Sequence, residues 1–192
     1  MLGTPPGHPR AVRLPRLSNE KMSRIECPRP GADALRAIAY HEAGHVAVGG
    51  RLGLRLLSTD IVPDQEGGNA HTQFAAPEAW FQPKAGALTP RERDLVERVV
   101  TTFMAGFGAE LRSGGADPDG SGWDVDQTLR EWITYLEPDP ERRPELAGKF
   151  FARAQEELAR PDVWRDVEDI AAALLRRRRL DATEVLDLVQ RN

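Results

Sequence analysis

Within one short stretch, His41-Glu42-Ala43-Gly44-His45, the chain sets two imidazoles and a carboxylate at a spacing that suits metal chemistry. On a helix, residues four apart stand about 40° apart around the axis and one turn along it, so both rings can reach one ion. Glu42 follows the first histidine and is angled beside such an ion, where its carboxylate can take a proton from water. Zinc accepts nitrogen, sulfur or oxygen ligands and keeps one position open when it is catalytic. An ion held there would lower the pKa of water toward about 7 and polarise a carbonyl, with Glu42 as the base. Chance can place this motif in a chain with four histidines. The helical setting and the small Ala43-Gly44 interior, which leaves room above the helix, weigh against chance.

A third ligand has to come from elsewhere. Neither His8 nor His71 follows at a short spacing, which excludes the pattern of a third histidine soon after the second. The acidic candidates are Glu110, Asp117, Asp119, Asp124 and Asp126. Asp124 and Asp126 open a helix after a Gly-rich loop, where the backbone can carry a carboxylate toward another helix. Acids at that place also favour a helix N-terminus electrostatically, and spacing alone does not decide.

These residues need a frame, and the composition supplies a globular one. The 192 residues are 40% hydrophobic and 29% charged, enough for one ordinary domain with a real core. A net charge of −4 argues against nucleic acid as the main partner. The lone Cys27 excludes an internal disulfide framework and fits a reducing compartment. No apolar run approaches the roughly 20 residues that cross a bilayer, and residues 1–30 lack the apolar stretch of a secretory signal, so the expected location is cytoplasmic.

Prolines at 5, 6, 9, 15, 28 and 30 mark residues 1–30 as a flexible N-terminal arm, leaving 31–192 as the folded domain. Asp33 is a plausible N-cap for a helix through Leu35, Ile38, Ala39, Ala43 and Val46 that fades at Gly49, Gly50 and Gly53. Leu56 to Val62 reads as a strand stopped by Pro63, with turn chemistry at 66–69 and a returning strand from Ala70 to Phe74. A loop with Pro77, Pro83 and Pro90 precedes a long amphipathic helix, with Leu95, Val99, Phe103, Phe107 and Leu111 on or near one face. Four more helices follow, marked by Val125 to Leu136, Leu146 to Leu158, Val163 to Leu174 and Val185 to Val189. The expected fold is α+β and mainly helical, with a zincin-like HExxH helix, a small β-sheet and a C-terminal helical bundle.

In this order the elements resemble the peptidase domain of the FtsH-type ATP-dependent zinc proteases. Ala39-Tyr40-His41-Glu42-Ala43-Gly44-His45-Val46 is similar to that family's zinc helix, and Thr59-Asp60-Ile61-Val62-Pro63 to a strand ending at a proline. Ala70 to Phe74 resembles its next strand, and Ala105-Gly106-Phe107-Gly108-Ala109-Glu110 its Gly-Gly-x-Ala-Ala-Glu helix. Ser121-Gly122-Trp123-Asp124-Val125 falls where the family has a small residue, Asn, Asp and an aliphatic residue, and Leu180 to Val185 is like its tail.

The resemblance implies a metalloendopeptidase with Zn2+ as cofactor, His41, His45 and Asp124 as metal ligands and Glu42 as the catalytic base. It implies a substrate that is a peptide or an unfolded protein segment, held along a strand including Thr72 to Phe74. Phe107 stands for a usual Arg and Trp123 for a usual Asn, departures that bear on substrate preference and assembly. No P-loop of the form GxxxxGK[ST] occurs, so the expectation is a peptidase without its own unfoldase. A homo-oligomer or a separate ATPase partner would then complete the assembly, and a non-catalytic zinc-binding regulatory module is the alternative reading.

The remaining residues have plainer expectations. His71 reads as an ordinary strand residue, and Glu110 either orients a ligand histidine or is a solvated helix acid. Arg176 to Arg179 read as a charged face before a helix break, and Trp80, Trp132 and Trp164 as core or groove-wall residues.

Overall fold

Apolar residues recurring every three to four positions build the helices of this chain, and a computed structural model describes residues 32–62, 70–77, 80–115 and 131–190. Among these residues lie α1 (Ala32–Arg51), β1 (Leu56–Asp60), β2 (His71–Phe74), α2 (Pro90–Arg112), α3 (Ile133–Leu136), α4 (Arg143–Ala159), α5 (Pro161–Arg177), β3 (Arg179–Asp181) and α6 (Ala182–Val189). The protein is therefore a mainly helical α+β fold with a small antiparallel sheet, as the periodicity predicts. Residues 1–30, Pro63, the 66–69 turn and the start of the helix expected at Val125 lie outside the described residues.

Helix α1 is the central element and packs between α2 on one side and α5 on the other. Its small residues make this possible. Ala39, Ala43 and Val48 are fully buried, and a Cβ built on Gly44 would lie 2.5 Å from the Ala105 carbonyl oxygen of α2. Two backbones can approach so closely only where one side chain is a hydrogen. Asp33 lies in the first turn of α1, one residue inside the helix, where its charge still complements the helix N-terminus.

The apolar stripe of α2 is turned from the one the large residues suggest. Leu95 is buried as expected, and so are Val96, Val100, Met104, Ala105 and Ala109, whereas Val99, Phe103 and Phe107 are half-buried and Leu111 is 45% exposed. The reason is the close contact with α1: small residues occupy the seam, and the bulky ones flank it. Phe107 instead packs its ring 5.4 Å from that of Phe151 on α4. Helices α4 and α5 keep the expected faces, with Phe150, Ala154 and Leu158 buried on one and Val163, Val167, Ile170 and Leu174 on the other. Each large aliphatic side chain so buried contributes about 1.5–3 kcal/mol.

The sheet has three strands in the order β2-β1-β3, one more than the sequence suggests. The break after the arginines is real, with Arg178 in the left-handed region at φ 70° as the C-cap of α5. The chain then adds Arg179–Asp181 to β1, burying Leu180 opposite Thr59. Three residues are too few to display a period-2 pattern, so this strand has no sequence signature. Across β1 and β2 the pairs are Asp60 with His71, Thr59 with Thr72 and Ser58 with Gln73, with an irregularity between Leu56 and Ser58. Strand β1 itself ends at Asp60, two residues before the expected Val62.

Thr89 starts α2 with a capping box: the Glu92 amide donates to its hydroxyl, and its own amide donates to the Glu92 carboxylate at 2.9 Å. The Thr89 amide and then its hydroxyl hold the Glu92 carboxyl below the ordinary glutamate value, with a smaller contribution from the Gln82 amide. A depressed folded-state value means that the stabilisation is present above the unfolded pKa, about 4.3, and is lost as pH falls through the folded one. Thermal melts of wild type and Glu92→Gln should differ at pH 7 and converge on acidification below about pH 4. A constant difference would count against the cap.

Candidate metal centre

His41, Glu42 and His45 are all buried on α1, and one ligand atom from each lies within 4.8 Å of the other two. The two imidazoles meet edge to face, with centroids 4.7 Å apart and planes at 82°. Their placement follows from the helix, but their orientation is set by α2. The His41 Nδ1 lies 2.9 Å from Glu110 Oε2, and the His45 Nδ1 lies 2.9 Å from the Thr102 carbonyl oxygen. A carbonyl oxygen can only accept, so His45 donates from Nδ1, and its Nε2 faces Gly106. His41, facing a carboxylate, donates from Nδ1 as well. Metal-ligating histidines are oriented in this way in general.

Both Nε2 atoms converge on one place, and Gly106 marks it. A Cβ built on Gly106 would come within 2.5 Å of His45 Nε2 and 2.9 Å of His41 Nε2, with His45 Cε1 closer still. Phe103, one helical turn earlier, sets its ring against that of His45 at 5.7 Å. Thr102, Gly106 and Glu110 are thus spaced four apart along α2, and together they form the wall opposite the two histidines.

Glu110 is 4% exposed, which makes it the partner of His41 and not a solvated acid. Replacing it with Gln keeps the volume and removes the charge. Metal affinity should fall about 10–100-fold in Glu110→Gln, measured by competition with a chromogenic chelator, while the fold persists. Unchanged affinity would show that the contact does not orient His41.

The sheet approaches from the other side. Thr72 Oγ1 donates to Glu42 Oε2 at 2.5 Å, and Thr59 Oγ1 is 2.9 Å from Thr72 Oγ1. Just beyond β2 the Ala75 amide donates to the Arg55 carbonyl at 2.7 Å. By the alternation of an antiparallel ladder, Gln73 and His71 then turn their backbone groups to β1, and Thr72 and Phe74 turn theirs to the outer edge. The short approach of the Thr59 and Thr72 side chains is that of a non-hydrogen-bonded pair and agrees with this parity. Strand β2 is an edge of the sheet, so that outer side has no strand beside it among the described residues.

The other candidates fall as follows. His71 has a side chain 53% exposed, 3.8 Å from Asp60, and belongs to the end of the sheet, not to the histidine pair. Asp124, with Asp117, Asp119, Asp126 and Trp123, lies outside the described residues. The tryptophans are packing residues: Trp132 stacks on Phe81, Trp164 on Tyr40, and Trp80 lies under Arg91. Sequence reasoning misses Gly106 and the hydroxyl of Thr72. Their signals, a glycine inside an amphipathic helix and a threonine on a short strand, are common for other reasons. No helix among the described residues is long and apolar enough to cross a membrane. In comparisons with known proteins, no family model and no curated protein matches this chain.

Proposed function

We propose that this protein is a zinc-dependent endopeptidase of the FtsH type, cutting peptides or unfolded protein segments. The reading is carried by one observation: both histidines have Nδ1 committed to an acceptor, and their Nε2 atoms come together near Glu42 and close against Gly106. Two imidazole nitrogens with an adjacent carboxylate suit zinc, a borderline ion that favours nitrogen donors. His41 and His45 would hold it, and the family resemblance adds Asp124 as the third ligand.

When bound, zinc supplies a Lewis acid that polarises a carbonyl and acidifies water. The chain supplies the rest. Glu42 takes the proton from the attacking water and is positioned to return it to the leaving nitrogen. The outward amides and carbonyls of Thr72 and Phe74 offer an extended peptide a strand to join, and such pairing selects unfolded segments because a folded one has no free backbone.

The test is cleavage of fluorescein-labelled casein by the purified protein with zinc, after chelation, and after zinc is restored. Activity should vanish with chelation and return with the metal. Zinc bound at one equivalent with no cleavage of casein or of extended peptides would favour the non-catalytic module instead.

A further inference from the structure

Glu42 does not stand alone on α1. Its Oε2 accepts the proton of Thr72 Oγ1 at 2.5 Å. With that proton given to Glu42, Thr72 can receive only from Thr59, whose hydroxyl lies 2.9 Å away and which is fully buried. The chain therefore runs in one direction, from Thr59 on β1 through Thr72 on β2 to the carboxylate on α1. A hydroxyl anchored in the sheet restrains the torsions of that carboxylate.

The strand that carries the anchor is itself held to α1. A Cβ built on Gly49 would meet the Phe74 ring at 2.6 Å, so the far end of that ring abuts the helix one turn beyond His45. Thr72 is thus fixed by its cross-strand partner on one side and by the Phe74 contact two residues on. Its backbone groups meanwhile face the open edge.

We infer that Thr72 is a positioning residue for Glu42, with Thr59 fixing the direction of its hydroxyl, so that the β2 edge and the base are set by one side chain. The inference rests on the peptidase reading above for its kinetic consequence but not for its geometry. Neither threonine is a metal ligand, and neither touches the reacting bond.

The test compares Thr72→Val, Thr72→Ser and Thr59→Val with wild type, using zinc content, kcat and KM on an extended fluorogenic peptide. Thr72→Val keeps the shape and loses the hydroxyl. Its kcat should fall about 10–100-fold, as for a reacting group misplaced by a fraction of an ångström to one, with KM and zinc content unchanged. Thr72→Ser should restore most of that loss, and Thr59→Val should fall between the two. Equal kcat in Thr72→Val and wild type overturns the inference, as does a Thr72→Ser variant no better than Thr72→Val.

A second measurement does not depend on turnover. A double-mutant cycle of Thr72→Val and Glu42→Ala, each of which removes one partner of the contact, read as urea midpoints of the metal-free protein, should be clearly non-additive. Additive midpoints overturn the inference. If the wild type binds zinc but cleaves nothing, the peptidase reading fails, and the cycle still decides whether Thr72 holds Glu42.

Discussion

Glu42→Gln should lower hydrolysis of an unfolded substrate by about 10²–10⁴-fold, the usual loss when a general base is removed. Zinc should stay bound. The amide has nearly the volume of the carboxylate and can still accept from Thr72 Oγ1, so the local packing survives. It cannot take a proton from water at neutral pH, so the step that Glu42 serves is lost. The two histidines keep their partners on α2, Glu110 and the Thr102 carbonyl, because neither contact involves Glu42. Paired measurements of metal content by emission spectroscopy and of peptide cleavage give the result directly. Retained cleavage with zinc in place would remove Glu42 from the mechanism, and loss of zinc would make it a ligand instead.

The second large effect is expected at a residue with no functional group. Gly106→Ala should abolish zinc binding at any concentration compatible with a native site and should destabilise the fold by about 1–3 kcal/mol, the ordinary cost of overpacking. The added carbon would sit 2.5 Å from His45 Nε2 and 2.9 Å from His41 Nε2. Rotating the rings away breaks the bonds to Glu110 and Thr102. Moving the helices apart opens the seam where Gly44 meets Ala105, which is tight along its length. Gly108→Ala on the same helix is the control. Its new carbon would meet the tip of Leu158 at 2.9 Å, which can turn, and the Phe151 ring at an ordinary 3.7 Å, and alanine improves helix propensity by about 1 kcal/mol. Zinc titration calorimetry and urea melts of the two variants should therefore separate sharply. Similar behaviour would mean that the Gly106 wall does not bound the metal site.

The contrast between these glycines explains why the site was only half legible. His41, Glu42 and His45 lie within one helical turn, so their mutual geometry follows from a 3.6-residue period and is visible in the sequence. The elements carrying long periodic patterns, α1, α4 and α5, also appear where the spacing of Ala39 to Val46, Phe150 to Leu158 and Val163 to Leu174 predicts. In α2 the largest side chains are a poor guide, because contact area between helices at close approach is made by alanines and glycines. Phe103 and Phe107 are large and periodic, yet they border the seam while Ala105 and Ala109 fill it.

Tertiary structure alone decided which groups stand opposite the pair. Glu110 is separated from His41 by 69 positions and Thr72 from Glu42 by 30, and no local rule links residues at such distances. The same composition at Glu110 would serve a solvated helix end; burial against α1 is what makes it the partner of an imidazole. His71 shows the converse, a residue of the right type placed at the exposed end of β2 by the parity of the strand. The sequence by itself determined a helix with two imidazoles and a carboxylate on it, because those relations are set within a single turn. The packing of α2 and β2 determined which acceptors hold the two Nδ1 atoms, what stands against the two Nε2 atoms and what contacts Glu42, because those relations exist only after distant segments meet.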